Sequence, residues 1–343
     1  MRGFGRYCST PPPRMESNAV AKPCISFIIP VFNSEQYIAR CLCSIRNLCF
    51  SEAAYEVLIM DNGSTDRTHQ IMCDLGFTFQ VIPKVNVSTL RNRGAALAQG
   101  DYLAFVDSDV ELTPRWLHNG LAPFADSQVV ACGCFPGVPQ EATWVQQAWD
   151  IHQRGRQSEA KPVSVPWLPS MNLLVRRDTF LAVSGFNEHL ETAEDVDLCY
   201  RLGQYGTIIC NRAMEAIHWG EARDVRTFWY KKVWRGLGNW YGVLSHGWRW
   251  DEFPSLAYPL YVITLMFLCL LGILIDVWHH HLLWGPFALC LLLLPALLLA
   301  IRTTLLAHRP WVLPQLVLLY LVYGIARAYA LVKSVAYGLS KQE

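Results

Sequence analysis

Asp107, Ser108 and Asp109 place two carboxylates two residues apart, immediately after the apolar run Tyr102–Val106. In an extended chain residues i and i+2 point the same way, so both acids would reach one site. Two hard oxygen donors suit Mg2+ or Mn2+, which take one or two protein carboxylates and complete their shell with water or phosphate oxygens. Alone the tripeptide is weak, because Asp and Ser are also ordinary turn residues. Two further polar side chains stand in comparable places. Asn33 follows the apolar run 25–31, and Asp61 follows 56–60.

The elements that must carry these residues alternate. Residues 25–31 (ISFIIPV) form a continuous Ile/Val-rich run, as in a strand buried on both faces. Asn33 and Ser34 are helix starters, and Tyr37, Ile38, Cys41, Leu42, Ile45 and Leu48 recur at helical spacing. Strands are expected at 56–60, 77–82 and 102–106, with a helix at 89–98 between the last two. Strand–helix alternation implies a mainly parallel sheet with helices on both faces. Ligands of such sheets sit beyond the carboxyl ends of the strands, where Asn33, Asp61 and Asp107 all fall.

The motifs S-F-I-I-P-V-F-N at 26–33, D-N-G-S-T-D at 61–66, R-N-R-G at 91–94 and A-Q-G-D-Y-L-A-F-V-D-S-D at 98–109 resemble the family-2 glycosyltransferases of GT-A fold. S-G-F-N-E at 184–188 and E-D-V-D-L-C-Y-R-L at 194–202 continue the resemblance, which covers roughly residues 24–220. It implies a Rossmann-like nucleotide-sugar-binding domain in which Asp61 contacts the base and Asn33, Arg91 and Asn92 lie on the nucleotide side. It further implies that Asp107 and Asp109 hold the ribose and the metal bridging the diphosphate. Glu194 lies on the substrate, Asp195 is the general base, and His218 completes the metal shell. Ser170, Met171 and Asn172 resemble a loop lining the acceptor side. The chemistry is consistent. Charge developing on a departing nucleoside diphosphate calls for a divalent cation, and a sugar hydroxyl needs a carboxylate to take its proton. One base opposite the leaving group gives single displacement and inversion. Glu194 and Asp195 also read as plain helix N-terminal acids, His218 as a packed side chain, and Asp197 with Arg201 as an i, i+4 ion pair. The Q-x-x-R-W motif of processive family members is missing; residues 231–240 read K-K-V-W-R-G-L-G-N-W. Transfer of one sugar per event is therefore expected.

The chain of 343 residues is 52% apolar and only 17% charged, below the roughly 25% usual for soluble domains. Much of the excess is terminal. Residues 255–275 and 281–301 each have the length and apolarity of a membrane span. Residues 311–332 form a third candidate that would either span or lie in the interface with Arg327 and Lys333 facing headgroups. The Arg-bearing link at 302–309 is expected on the cytoplasmic side, which places the N-terminal domain there as well. Residues 223–254 interleave Trp, Tyr and Phe with Arg and Lys, as suits a headgroup layer. Residues 1–23 contain no apolar run and read as a disordered leader. The 12 cysteines include no C-x-x-C pair and read as small buried hydrophobes in a reducing compartment. A balance of 29 basic against 28 acidic residues argues against nucleic acid as a partner.

The reading is thus a GT-A domain at 24–222, an interfacial region at 223–254 and a membrane region at 255–343. Its partners would be a nucleotide-diphosphate sugar, Mg2+ or Mn2+, a lipid-linked or membrane-proximal glycan acceptor, and lipid of a bacterial inner membrane. Two other readings compete. A polyprenyl-phosphate glycosyltransferase has an anionic acceptor that needs no strong base, so it would leave the E-D motif idle. A non-catalytic assembly component would be expected to have lost at least one acidic element, and all are intact.

Overall fold

The computed structural model describes residues 24–49, 55–155, 161–237, 253–280 and 282–340. The leader at 1–23 and the larger part of the interfacial stretch, 238–252, lie outside the described residues. Those described fall into two compact units. One takes residues up to Pro139 and then 161 to Gly220; the other takes Gln140 to 155 and everything from Glu221.

The first unit alternates as expected: β1 (Ile25–Val31), α1 (Ile38–Arg46), β2 (Tyr55–Asp61), α2 (Thr68–Asp74), β3 (Phe79–Val81), α3 (Val87–Leu97) and β4 (Tyr102–Val106). A short β5 (Val110–Leu112), α4 (Trp116–Leu121) and β6 (Val129–Gly133) follow. After the excursion into the second unit come β7 (Val163–Ser164), β8 (Asn172–Arg176), α6 (Arg177–Ala182), α7 (Glu194–Leu202), β9 (Thr207–Cys210) and β10 (Ala216–His218). Among the described residues one eight-stranded sheet runs in the order β3-β2-β1-β4-β8-β6-β9-β7, and β10 pairs with β5 in a separate ribbon. The pairings β1–β2, β1–β4, β2–β3 and β6–β9 are parallel; β8 runs antiparallel to both its neighbours, and β7 to β9.

Every residue of β1 is buried, as its unbroken apolar run requires of a central strand. Phe27, Phe105, Trp116 and Phe180 fill the core around it. β1 pairs with β4 only as far as Ile28, whereas its pairing with β2 runs on to Val31. Pro30 has no N–H to donate and lies just beyond that break. The carboxyl ends of β1 and β4 are thereby released from each other, which opens the sheet edge where ligands of such folds bind. Eleven cysteines are described, none of them in a disulfide, and Cys41, Cys43, Cys132, Cys134, Cys199 and Cys210 are buried. Burial pushes the Cys199 thiol up to about 12, so these groups behave as packing side chains and not as nucleophiles.

The second unit is helical: α5 (Trp144–Gly155), α8 (Val225–Leu237), α9 (Phe253–His279), α10 (Trp284–Leu306) and α11 (Leu313–Ser340). Three stretches, Ala257–His279, Trp284–Leu306 and Pro310–Ser334, are long and apolar enough to cross a membrane. α5 belongs to this unit although β6 and β7 flank it in sequence. Its Trp149 packs in one apolar cluster with Phe228 of α8 and Tyr320 of α11.

Candidate functional site

The acidic side chains sort into three arrangements. The first surrounds Asp61, the last residue of β2. The loop after it turns at Gly63, whose φ of +81° is natural only for glycine. That turn aims the amides of Gly63 and Ser64 at Asp61 Oδ2 (2.8 and 2.9 Å). The Ser64 hydroxyl bonds Oδ1, and His69 Nε2 lies 2.8 Å from Oδ2, its ring stacked on Phe79. Burial alone would raise the Asp61 carboxyl; the hydrogen bonds from Ser64, His69 and the two amides outweigh it and hold the group below the ordinary carboxylate range. Asp61 is completely buried. Four partners occupy a group with about four acceptor positions, so Asp61 shapes the loop and presents no open face to a base. Asn33 ties into the same loop. Its Oδ1 accepts from the Thr65 amide (2.9 Å) and its own amide donates to Ser64 Oγ (2.9 Å). Its φ of +46° is a conformation that Asn tolerates better than most residues.

The second arrangement centres on Arg91 in α3. Its guanidinium donates to Asp107 Oδ1 (2.7 Å) and, through the other terminal nitrogen, to Glu194 Oε1 (2.9 Å). The Arg91 side chain is 3% exposed, Glu194 13% and Asp107 27%, so the bridge is rooted in protein and opens toward Asp107. Burial would lower the Arg91 pKa, but its two carboxylates raise it above the ordinary value, which keeps the charge fixed. Arg91 Nε is buried without a partner. One planar fork therefore joins the D-S-D turn to the first residue of α7.

Asp195, next in α7, sits in the first helical turn, where the helix dipole favours an anion. Its Oδ1 accepts from the Val196 amide (2.9 Å). Ala193, just before α7, has a φ of +64°. A non-glycine residue in that conformation is strained by about 1–3 kcal/mol, and such strain concentrates at functional sites. Asp197 and Arg201 form the i, i+4 ion pair (2.6 Å). Asn92 is engaged by the loop that precedes α7. Its amide grips the Phe186 backbone at both ends (2.9 and 2.9 Å) and donates to Glu188 Oε1 (2.8 Å). Hydrogen bonds from Asn92 and Thr89 hold the Glu188 carboxyl below its ordinary range. Asn92 thus clamps the S-G-F-N-E loop against α3 and fixes where α7 begins.

The third arrangement pairs Asp109 with His218. The β5–β10 register sets Val110 opposite His218, so Asp109, one residue earlier, meets the imidazole with Oδ2 at 3.2 Å from Nε2. A Cβ at Gly220 would lie 1.8 Å from Asp109 Oδ2, so only glycine leaves the carboxylate this position. The D-S-D segment is a turn and not the extended pair the spacing suggested. Val110 N bonds Asp107 O (3.0 Å), and the Ser108 hydroxyl bonds that of Ser34 (2.6 Å). The turn sends Asp107 to Arg91 and Asp109 to His218. Among the described residues no three His, Cys, Asp or Glu side chains gather closely enough to hold a metal alone. Asp109 and His218 still supply an oxygen and an imidazole nitrogen in contact, a mixed donor set that suits Mn2+ better than the all-oxygen preference of Mg2+, with phosphate oxygens completing the shell.

Asn172 is buried at the start of β8, bonded to Trp116 Nε1 and the Cys134 carbonyl, so it supports the core and lines no loop. Sequence reasoning gave no site role to Ser34, Ser64, His69, Glu188 or Gly220, although Ser34 read as a helix starter and Ser64 and Glu188 lay inside the quoted motifs; His69 and Gly220 carried no local signal.

Comparisons with known proteins bear on the domain and its fold. Residues 26–182 match the family described as Glycosyl transferase family 2. The glycosyltransferase AglE of Haloferax volcanii is 26% identical over 185 residues, 51% of this chain and 59% of that one. The pre-mycofactocin glycosyltransferase of Mycobacterium tuberculosis is 31% identical over 199 residues, 53% of this chain and 39% of the relative. The chain thus spans about half the length of these relatives. The mannosyltransferase PcManGT from Pyrobaculum calidifontis, solved with GDP-Man and Mn2+, superposes with a TM-score of 0.60 at 18% identity, covering 92% of this chain and 88% of that one. At that identity the likeness is one of fold, a GT-A-like sheet with helices following.

Proposed function

We propose, from the premise that residues 26–182 are a Glycosyl transferase family 2 domain followed by three long apolar helices, that this chain is a membrane-anchored inverting glycosyltransferase. It moves one sugar per event from a nucleotide-diphosphate sugar to a hydroxyl of a lipid-linked or membrane-proximal glycan, on the cytoplasmic face. The carrying observation is the Arg91 bridge, which links the turn proposed to face the donor to the helix bearing the proposed base. Related proteins act on sugars by name, and PcManGT was solved with GDP-Man and Mn2+, which supports a nucleotide-sugar donor here.

In this reading Asp195 accepts the proton of the acceptor hydroxyl as its oxygen bonds to the anomeric carbon. The bond from that carbon to the diphosphate oxygen breaks on the opposite face, and the nucleoside diphosphate leaves with inversion. Asp109 and His218 would hold Mg2+ or Mn2+, which would stabilise the leaving diphosphate's charge, and Asp107, held by Arg91 at the other end of the same turn, would face the donor. Arg91 holds Asp107 and Glu194 in place. Asn92 and Glu188 fix the loop that leads into α7, and the Asp61–Ser64–His69 turn shapes the nucleotide side without using Asp61 as a ligand.

The test is nucleoside-diphosphate release by detergent-purified protein against UDP-, GDP- and dTDP-sugars, with and without Mn2+ or Mg2+, beside Asp195→Asn and Asp109→Asn. Release from one donor that requires metal and fails in both variants is expected. Turnover on polyprenyl phosphate as sole acceptor that survives Asp195→Asn would overturn the assignment of the base and of the acceptor hydroxyl. No binding of any donor would favour an assembly component.

A further inference from the structure

The three apolar helices are not alike. α9 and α10 form a tight antiparallel hairpin. A Cβ at Gly272 would collide with the Trp284 and Gly285 backbone, and Tyr261 OH donates to Leu291 O (2.6 Å). Asp276 accepts from the amides of Trp284 (3.0 Å) and Gly285 (2.8 Å), closing the turn. Both helices are apolar all round. Three consecutive residues, Met266, Phe267 and Leu268, are exposed on α9, as are Leu297, Leu298 and Leu299 on α10. Successive positions are 100° apart, so such runs coat every side, as a lipid-facing span requires.

α11 differs. Half of its most apolar stretch is buried, against 22% for each of the others. Its exposed large apolar residues Leu318, Ile325, Tyr329 and Val332 are spaced 7, 4 and 3, which is a single stripe. Its contacts also change partner midway. Leu316, Leu319 and Tyr320 cluster with Ala296 at the midpoint of α10 and Ala300 in its second half, and Tyr323 and Gly324 meet Tyr258 near the start of α9. Beyond Gly324 the partner is α8. Ala326 and Ala330 pack on Val233, Tyr329 on Trp229, Arg327 Nη1 donates to Arg235 O (3.2 Å), and Ser334 Oγ to Leu237 O (3.4 Å). A helix crossing beside the hairpin would go on to meet its far half. Among the described residues, the contacts of α11 beyond Gly324 go instead to α8, after a first half that reaches no farther along α10 than its midpoint.

α8 cannot follow it into hydrocarbon. Arg226, Tyr230 and Trp234 stand on one outward stripe at i, i+4 and i+8, with the Arg226 guanidinium 5.9 Å from the Tyr230 ring centroid. Lys232 is buried under Trp149 and Phe228, its ammonium 4.1 and 4.7 Å from the two rings. A span would place Arg327 past its midpoint and draw the Arg235 end of α8, with Lys231 one turn before it, in beside it, where each cation is costly. Arg327 is itself buried and does not reach outward to headgroups, as its position in the sequence suggested.

We propose that α8 and α11 form a platform lying along an anionic bilayer surface, and that the chain crosses the membrane twice and not three times. The apolar stripe of α11 and the Tyr230/Trp234 pair dip into the headgroup boundary, while Arg226, Lys231 and Lys333 meet lipid phosphates. The inference rests on the packing of this unit and, for the expected reporter pattern, on the cytoplasmic placement of the first unit; the crossing count itself is read from whether residue 281 and the C-terminus lie on opposite sides.

Topology reporters on the full chain decide it. Alkaline phosphatase and green fluorescent protein are each fused after Glu343, and each inserted at residue 281, the link between α9 and α10. The expected pattern is an active phosphatase at 281 and, after Glu343, an inactive phosphatase with a fluorescent partner. The same phosphatase result at both positions overturns the proposal. Single charges give an independent readout. Leu270→Lys, central in α9, should lower membrane-integrated protein several-fold in carbonate-washed membranes, whereas Ile325→Lys, central in the third apolar stretch, should leave it within twofold. Equal loss from both would overturn the in-plane placement.

Discussion

Asp61 and Asp107 end the two strands that flank β1, yet they meet opposite fates. Asp61 is completely buried and its oxygens are filled by its own loop and His69. Asp107 keeps 27% of its side chain exposed, with Oδ1 held by Arg91. The difference comes from the three residues that follow each acid. Asn-Gly-Ser folds back and delivers two amides and a hydroxyl. Ser-Asp-Val makes a turn whose hydroxyl goes to Ser34, leaving the carboxylate for a cation. An acid at the end of a parallel strand is therefore a candidate ligand only if its own loop does not consume it.

Predictions follow the expected size of effect. The largest falls on the open side. Asp195→Asn should cut initial transfer rates by about 10²–10⁴-fold with an unchanged melting curve. Asp107→Asn should lose roughly 10²-fold in kcat/KM, again without loss of fold. Asp61→Asn should do the reverse, turning an amide NH2 toward donors and costing about 2 kcal/mol in urea unfolding of the detergent-solubilised chain. If Asp61→Asn kept full stability but abolished donor binding by calorimetry, the contrast would collapse. Arg91→Lys keeps a charge but cannot fork to both carboxylates, so kcat should drop about tenfold while donor KM moves less. The smallest effect is on pH. The folded Asp61 carboxyl lies below its ordinary value, so its stabilisation is full above about pH 4 and fades as pH falls through the folded value. The stability gap between wild type and Asp61→Asn should accordingly stay level from pH 7 to about 5 and narrow at lower pH.

Much of the first unit was legible in its residues. β1 and β4 match their apolar runs, and the helix expected at 89–98 is observed at Val87–Leu97. The strand expected at 77–82 shrinks to Phe79–Val81, because β2 offers partners only from Ile59 to Asp61. α7 was readable because acids precede an amphipathic stretch. The partners were not. Arg91 and Glu194 are 103 residues apart, and no local pattern tells a guanidinium which acids it will join. Asn92 looked like a ligand because its motif did, but its amide was claimed by a loop 94 residues away. The sequence already set the third apolar stretch apart, as either spanning or lying in the interface, but did not decide between the two. What separates α11 is how much of its surface other helices cover, a property that composition does not contain.

α5 carries a consequence for synthesis. The His152 ring bonds Tyr320, a residue made 168 positions later. At about 5–20 residues per second, roughly ten to thirty seconds separate the emergence of the two from the ribosome. For about the first half of that interval Trp149 has no partner from α8, and for all of it none from α11, so it presents an uncovered apolar face. β6 and β7 must then wait on either side of an unsettled insertion. Chaperone occupancy of nascent chains should accordingly peak after residue 155 and fall only once α11 has been made.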